Sequence, residues 1–336
     1  MPVSKKVQAS LKNSSWIRKM FEEGDSRKAK YGVENVFDFS LGNPNLEPPD
    51  AFKQLLRDLL DDPNPGKHGY MANAGYIETR EAVAADLRAR CGHSFSADDI
   101  VMTVGAGGGL NVIFRTLLNP GEEVIIPSPF FVEYQFYLEN HQAVPRTVKT
   151  TSDFSLDLDA VEDAISEKTR AILMNSPNNP TGKVYTEEEI KALGKVLDDK
   201  SERFGQPIYL ISDEPYCKIV YDGLTVPSVF DAYKESIVVT SFSKDLSLAG
   251  ERIGYVAIHP DISDRAMTAA GMVFSNRILG FVNAPALMQR AVSGLLGECV
   301  NIFDYQKKRD LLCEGLASFG YEFVKPGGAF YLFPRT

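Results

Sequence analysis

Short apolar runs alternate with longer amphipathic stretches along the chain, and this alternation predicts strands and helices in turn. Helices that separate consecutive strands are typical of parallel sheets with both faces covered, so the pattern predicts an α/β fold. The predicted strands lie at 100–103, 123–126, 170–174, 208–211, 237–240 and 253–258. The predicted helices lie at 75–90, 108–118, 130–140, 158–165 and 187–204.

The two ends of the chain follow a different pattern. An amphipathic stretch predicts a long helix over 301–319, followed by an apolar strand that ends in GGAFYLF, 327–333. Near the other end, VFDFS at 36–40 also alternates like a strand. We expect these ends to pair in a smaller α+β domain made from 1–46 and 290–336, beside a large domain of 47–289.

Composition and charge exclude several classes of protein. The 336 residues are 44% hydrophobic and 24% charged, which is ordinary for a globular protein and argues against disorder or a coiled coil. No apolar run approaches the ~18–20 residues of a membrane span. A formal net charge of −9 opposes nucleic acid as a partner. The cysteines and the four histidines are scattered, so we expect no metal site, and reduced thiols in the cytoplasm.

A glycine-rich segment, GAGGGL at 105–110, stands between a predicted strand and a predicted helix. Such a loop lets backbone N–H groups approach a phosphate at a helix N-terminus. It matches neither the phosphate-binding loop of nucleotide hydrolases nor the dinucleotide fingerprint, because Leu110 stands where that fingerprint needs glycine. On these residues alone, a tight turn and a phosphate cradle remain equally good interpretations.

Three further polar segments follow predicted strands. Lys244 lies among hydroxyls and is followed by Arg252, which suits either a Schiff-base lysine beside a phosphate site or a surface pair. Asp213 follows an apolar strand, and its carboxylate would need a positive partner if buried, although an acidic loop is the simpler local interpretation. NSPNNPTG, 175–182, predicts a rigid turn that presents an asparagine.

Taken in order, five motifs resemble the class I/II aminotransferases, which are pyridoxal-phosphate-dependent enzymes of fold type I. The motifs are GAGGGL, SPFFVEY, NSPNNPTG, SDEPY and SFSKDLSLAGERIGY, and the resemblance runs from about residue 36 to the end. It implies a large domain with a mostly parallel seven-stranded sheet between helices, plus a smaller α+β domain from the two chain ends.

The resemblance also implies roles for the residues that match the motifs. Lys244 matches the lysine that holds pyridoxal 5′-phosphate as an internal aldimine and later moves the substrate proton. Asp213 matches the carboxylate that keeps the pyridine nitrogen protonated. Asn179 and Tyr216 match the pair that hydrogen-bonds the ring 3′ oxygen. Lys244, Asp213 and Tyr216 are thus the candidate catalytic residues.

The same matching assigns the phosphate and the faces of the cofactor. The phosphate contacts are the backbone of Ala106 and Gly107 and the side chains of Ser241, Ser243 and Arg252. Phe131 matches the ring stacked on the cofactor, with a core aromatic as the alternative.

Two matches reach beyond the cofactor. Tyr70 matches a tyrosine that reaches the phosphate of the neighbouring subunit, which implies a homodimer with a shared active site. Gly42 and Asn179 match contacts of the substrate carboxylate.

The sequence departs from the family pattern in one place. Family members continue beyond the GGAFYLF strand into a segment with an arginine that clamps the substrate α-carboxylate. No residue matches it, since Arg335 follows the strand too closely. The preferred interpretation is a truncated sequence, with altered substrate binding as the alternative. Arg277 lies near the position of a side-chain-carboxylate arginine in aspartate-specific relatives, although a surface arginine is preferred.

The function predicted from the resemblance is an amino-acid aminotransferase that moves the amino group of an L-amino acid to a 2-oxo acid by double displacement. A C–S lyase or decarboxylase on the same scaffold, or a non-catalytic cofactor-binding regulator, are the alternatives. The amino donor is not predicted.

Overall fold

The computed structural model describes residues 3–13, 15–39 and 42–335, and the chain divides into two compact units, Met1–Pro44 and Asn45–Thr336. The first unit contains helices α1 (Lys5–Asn13) and α2 (Ser15–Tyr31). Within it, Lys28 Nζ lies 2.6 Å from Asp38 Oδ2. The predicted strand at 36–40 is wrong for its described part, because 36–39 carry no strand, and position 40 lies outside the described residues.

The second unit is built on one seven-stranded sheet with the order β1-β7-β6-β5-β4-β2-β3. Five strands run parallel in that order from β6 to β3, whereas β7 is antiparallel to both of its neighbours. The mostly parallel seven-stranded sheet is therefore confirmed. The strands are β1 (Ile100–Thr103), β2 (Glu123–Ser128), β3 (Val144–Lys149), β4 (Thr169–Asn175), β5 (Tyr209–Asp213), β6 (Ser236–Ser241) and β7 (Gly254–Ile258).

Helices cover both faces of the sheet because the central strands are apolar on both sides. Ile172 of β4 belongs to one buried hydrophobic cluster and its neighbour Leu173 to another. The helices of this unit are α3 (Asp50–Asp61), α4 (Ile77–Cys91), α5 (Gly105–Leu117), α6 (Glu133–Asn140), α7 (Leu158–Ala164), α8 (Glu187–Phe204), α9 (Arg265–Ile278), α10 (Ala286–Ser293) and α11 (Ile302–Ser318). Within the residues described, no helix is both long and apolar enough to cross a membrane.

The C-terminal segment differs from its prediction. Residues 321–335 form no strand, apart from one isolated bridge between Val220 and Gly328. The segment bends back on itself, so that the Arg335 N–H donates to the Glu322 carbonyl at 2.8 Å, but one such bond does not make a ladder. A strand needs a continuous hydrogen-bonded neighbour, and this segment has none within the described part of the chain. The smaller domain made from both chain ends stays a prediction.

Candidate active site

Several of the predicted site residues lie at the edge of the sheet where the parallel strands end. Asn175 ends β4 and pairs in register with Asp213, which ends β5. Ser241 ends β6 and pairs with Gly254, the first residue of β7. Because β7 is antiparallel to β6, its beginning lies beside the end of β6. The carboxyl edge of an open α/β sheet is where such folds bind ligands.

Asp213 is a buried carboxylate with one satisfied oxygen. Its Oδ2 accepts a 2.5 Å hydrogen bond from the Tyr134 hydroxyl, whereas its Oδ1 is buried without a hydrogen-bond partner. Burial raises the pKa of Asp213 to about 7, although the bond from Tyr134 opposes this shift. Its main-chain carbonyl accepts from Asn175 Nδ2 at 2.7 Å, which ties the ends of β4 and β5 together. A positively charged N–H donor would satisfy the open oxygen.

Lys244 lies in the turn after β6, beside two aromatic rings. Its Nζ lies 5.7 Å from the ring centroid of Tyr216 and 5.3 Å from that of Phe330. Burial, and secondarily the positive charge of Arg252, lowers the pKa of Lys244 to about 8. An amine with this pKa is partly neutral near physiological pH and can act as a nucleophile or a base.

The glycine-rich loop begins helix α5 and leaves its N-terminus open. Val104 precedes the helix and provides no side-chain cap, and the first turn carries no acidic residue. The first backbone N–H groups of a helix have no partner within it, so they are available to an anion. The Arg252 guanidinium lies against this turn, because a Cβ added to Gly105 would lie 2.8 Å from Arg252 Nη2. Ser241, the last residue of β6, and Ser243, two residues further along the chain, are both buried.

Asn179 and Tyr216, predicted as a pair, are joined by a third residue. The Tyr331 hydroxyl lies 2.6 Å from the Tyr216 hydroxyl and accepts a 3.3 Å hydrogen bond from Asn179 Nδ2. The Asn179 N–H in turn donates to Asn175 Oδ1 at 2.6 Å, which fixes the turn to the end of β4. The structure thus brings the predicted pair within reach of one hydroxyl.

The remaining predicted residues are not joined to this hydrogen-bonded group by any contact described above. Phe131 is half-buried and meets the Tyr134 ring edge-on, with centroids 5.5 Å apart. Tyr70 is 94% exposed. Arg277 is exposed near the end of α9, with its guanidinium carbon 5.3 Å from the Phe274 ring centroid. Gly42 lies in the first unit, and its proposed contact stays a prediction.

Sequence reasoning missed two tyrosines of this site. Tyr134 lies in the SPFFVEY motif and Tyr331 in GGAFYLF, but neither was assigned a contact. The only available signal was their membership of motifs whose other residues were assigned. Their partners lie 79 and 115 residues away, so the contacts depend on the fold.

Comparisons with known proteins agree with this geometry. The family described as "Aminotransferase class I and II" matches residues 34–336. A probable N-acetyl-LL-diaminopimelate aminotransferase of Bacillus subtilis is 30% identical, over 90% of this chain and 74% of that protein. The crystal structure of an amino transferase from Eubacterium rectale has a TM-score of 0.95 at 41% identity, covering 100% of this chain and 85% of that one.

A solved structure of aspartate aminotransferase from Thermus thermophilus with maleate has a TM-score of 0.84 at 29% identity, covering 99% of this chain and 84% of that one. These similarities span nearly the whole described chain and share one activity. The chain belongs to the class I and II aminotransferase family, whose members use pyridoxal phosphate to transfer amino groups between amino acids and 2-oxo acids.

Proposed function

We propose that the crevice around Lys244 and Asp213 is where this aminotransferase binds pyridoxal phosphate and exchanges amino groups. The observation that carries the proposal is the buried Asp213 carboxylate with its Oδ1 oxygen lacking a partner. A buried acid of this kind is costly unless a positive group meets it. The protonated pyridine nitrogen of the cofactor is such a group, and its charge would favour the ionised form of Asp213.

The N-terminus of α5 suits the cofactor's phosphate. Its uncapped turn offers the backbone N–H groups of Ala106 and Gly107, and Arg252 adds a guanidinium with paired donors. Ser241 and Ser243 would complete the phosphate contacts with their hydroxyls. A side chain at Gly105 would collide with the guanidinium, so the close approach of Arg252 to this turn depends on glycine there.

When bound, pyridoxal phosphate supplies an electron sink for the charge left when a substrate Cα loses its proton. Lys244 would attach the cofactor covalently and then, as a free amine, take the proton from the substrate Cα. Its pKa of about 8, lowered by burial and then by Arg252, leaves part of the amine neutral for this step. Asp213 would hold the charge of the ring nitrogen, and Phe131 would lie against the ring.

Asn179 and Tyr216 would donate to the ring 3′ oxygen, and Asn179 and Gly42 would contact the substrate carboxylate. The hydrogen-bond groups of Asn179 and Tyr216 already converge on one hydroxyl. Because the Tyr331 hydroxyl already fills that point, the convergence supports only that the two side chains lie close enough together to share a further oxygen.

The functional unit proposed is a homodimer with a shared site. The Tyr70 side chain is 94% exposed, so a role at a phosphate is met most simply at the site of a second subunit. Helix α9 carries an exposed apolar stripe of Met267, Phe274 and Ile278, which a second copy of the chain would cover. The four free cysteines fit a reducing compartment such as the cytoplasm.

The amino donor is best sought first among dicarboxylic amino acids. The support is the similarity to an aspartate aminotransferase and the exposed guanidinium of Arg277 on α9, the helix that also carries the apolar stripe.

The test is to load the protein with pyridoxal phosphate, reduce it with borohydride and map the labelled peptide by mass spectrometry. We expect label on Lys244, with none in Lys244→Ala and normal labelling in the exposed-lysine control Lys234→Ala. In the unreduced sample, aspartate, glutamate and aromatic amino acids are offered one at a time with a 2-oxo acid acceptor. An aminated acceptor supports transfer. Pyruvate and ammonia from a thioether amino acid offered in parallel would indicate a C–S lyase, and carbon dioxide with the matching amine would indicate a decarboxylase. Label on another lysine would overturn the assignment.

A further inference from the structure

Tyr331 is a polar residue that contacts Asn179 and Tyr216 and to which the proposed function gives no role. Its hydroxyl lies between the two groups proposed to hold the cofactor's ring oxygen, 2.6 Å from the Tyr216 hydroxyl and 3.3 Å from Asn179 Nδ2. Its ring also packs edge-on against that of Tyr216, with centroids 5.6 Å apart. Both the ring and the hydroxyl of Tyr331 therefore act on Tyr216.

The backbone around Tyr331 is held firmly in place. The N–H groups of Gly327 and Gly328 donate to the Gly182 carbonyl at 2.9 and 3.0 Å, and the Ala329 N–H donates to the Ile219 carbonyl at 2.9 Å. Gly182 ends the turn that carries Asn179, and Ile219 follows Tyr216 by three residues. The segment that carries Tyr331 is thus fastened to the two segments that carry its partners.

The glycines allow this close approach. A Cβ at Gly328 would lie 2.6 Å from Pro177 Cγ and 2.7 Å from the Ile219 carbonyl oxygen. The Tyr221 hydroxyl also donates to the Ala329 carbonyl. The position of Tyr331 therefore follows from main-chain contacts of the residues just before it, 327–329.

We propose that Tyr331 is a positioning residue of the cofactor site, whose hydroxyl orients Asn179 and Tyr216 toward the ring oxygen of pyridoxal phosphate. The inference rests on the proposed function, because it assumes that these two residues hold that oxygen. Tyr331 itself need not contact the cofactor.

Before a substrate carboxylate reaches Asn179, donors and acceptors can be assigned to every group in this arrangement. An asparagine amide has two N–H donors, and a tyrosine hydroxyl has one donor and two acceptor positions. Tyr331 accepts one hydrogen from Asn179. In the proposed arrangement it donates its own hydrogen to the Tyr216 oxygen, which is one of the two directions that the 2.6 Å contact allows. The Tyr216 hydrogen then points away from Tyr331, and the second Asn179 hydrogen is also left over. Those two hydrogens are the pair available to the ring oxygen.

Loss of the Tyr331 hydroxyl should affect the cofactor through its neighbour. In Tyr331→Phe, the Tyr216 hydroxyl has lost its donor and is free to rotate, so fewer aligned hydrogens stabilise negative charge on the ring oxygen. We expect cofactor affinity to fall about tenfold, which is the size of one net hydrogen bond. The pH at which the visible absorption of the bound cofactor changes should rise by roughly half a unit or more, since poorer stabilisation of that charge favours the protonated form.

The experiment compares cofactor affinity and the pH titration of the visible spectrum in wild type, Tyr331→Phe, Tyr216→Phe and the double variant. Tyr305→Phe is the matched control, because the Tyr305 ring stacks on Phe330 at 5.2 Å without meeting this hydroxyl pair. We expect Tyr331→Phe to shift both readouts and Tyr305→Phe to shift neither. Once Tyr216 is already Phe, the Tyr331 change should have a smaller effect, because only its action on Asn179 remains.

Three results would overturn the inference. If Tyr331→Phe binds the cofactor with wild-type affinity and its visible spectrum titrates at the wild-type pH, the hydroxyl does not orient Asn179 or Tyr216. Fully additive effects in the double variant would show that Tyr331 does not act through Tyr216. Tighter cofactor binding by Tyr331→Phe would show that the hydroxyl competes for the ring oxygen's place. Failure of the proposed function is separate, since wild type would then show no Lys244-dependent visible absorption at all.

Discussion

Tyr134 donates a 2.5 Å hydrogen bond to Oδ2 of Asp213 and thereby satisfies one oxygen of a carboxylate whose other oxygen is buried without a partner. The bond favours the ionised acid, but burial outweighs it and raises the pKa of Asp213 to about 7. In the cofactor-free protein this acid is therefore poised between its charged and neutral forms near neutral pH. Binding of a positively charged ring would settle it in the charged form.

Without cofactor, Asp213→Asn should reduce the dependence of the unfolding free energy on pH. An unfolded aspartate has a pKa of about 3.9, and burial raises the folded value to about 7. A raised folded pKa gives stability that is fully present below about pH 4 and is lost as the pH rises through about 7. Urea unfolding of the wild type should give a lower unfolding free energy at about pH 8 than at about pH 5. In the variant this difference between the two pH values should be smaller by ~1 kcal/mol or more. The exposed control Asp61→Asn should keep the wild-type difference, and an unchanged difference in Asp213→Asn would contradict the prediction.

The rate of covalent cofactor capture should increase with pH through a midpoint near the Lys244 pKa of about 8. Only the neutral amine attacks an aldehyde, and burial is the main reason that Lys244 loses its proton so readily. Arg252→Gln removes a nearby positive charge, so the midpoint should rise by about half a unit or more, while phosphate binding weakens. Stopped-flow absorbance at several pH values measures both effects. The exposed Arg203→Gln should leave the midpoint in place; a midpoint unmoved by Arg252→Gln would show that burial alone sets it.

Gly182→Ala should destabilise the protein more than Gly205→Ala. Both glycines have a left-handed backbone, with φ of +70° and +66°, so both variants lose ~1 kcal/mol from backbone strain. At Gly182 the added Cβ would also collide with Pro326 and lie 2.8 Å from the Gly328 carbonyl oxygen, whereas nothing lies within 4 Å at Gly205. We expect an additional ~1–3 kcal/mol at Gly182. Equal urea midpoints for the two variants would show that the contact is readily relaxed.

Two inactive variants should restore activity to each other if the site is shared. Lys244→Ala lacks the proposed nucleophile and Tyr70→Ala lacks the proposed contact to the partner's phosphate. Mixed dimers would contain one site with both defects and one site with neither, so about a quarter of wild-type activity is expected after subunits exchange at equal amounts. Activity is measured after co-refolding and after simple mixing at low concentration. No recovery in co-refolded dimers would place Tyr70 outside the partner's site.

The central sheet could be predicted because its strands are buried on both faces. Every residue of β5 is buried, and the six predicted strands occur within two residues of their predicted ends. β3 was missed because it lies at the sheet edge and most of its side chains are exposed, which leaves no continuous apolar run. Helices α3, α9 and α10 were also missed.

The candidate site was predicted as far as strand ends and motifs specify it. Lys244 and Asp213 follow apolar strands, so their common edge is implied by parallel pairing. The hydroxyl contacts of Tyr134 and Tyr331 join segments that are far apart along the chain, and no local pattern encodes them. The same holds for the collision at Gly182, since its neighbour Pro326 is far along the chain.

The antiparallel placement of β7 has a consequence for how long the cofactor stays bound. Residues 242–253 connect β6 directly to β7 and carry both Lys244 and Arg252. If a crossover helix separated Lys244 from Arg252, the segments that carry them could open and close independently. Because one short connection carries both, we expect it to open as a single cooperative unit. Amide hydrogen exchange within 242–253 should therefore slow as one block on cofactor binding. Opening of that block would withdraw Arg252 from the phosphate and expose the covalent linkage at Lys244 to water, which must hydrolyse it before the cofactor leaves. We therefore expect cofactor exchange to be no faster than the opening of 242–253.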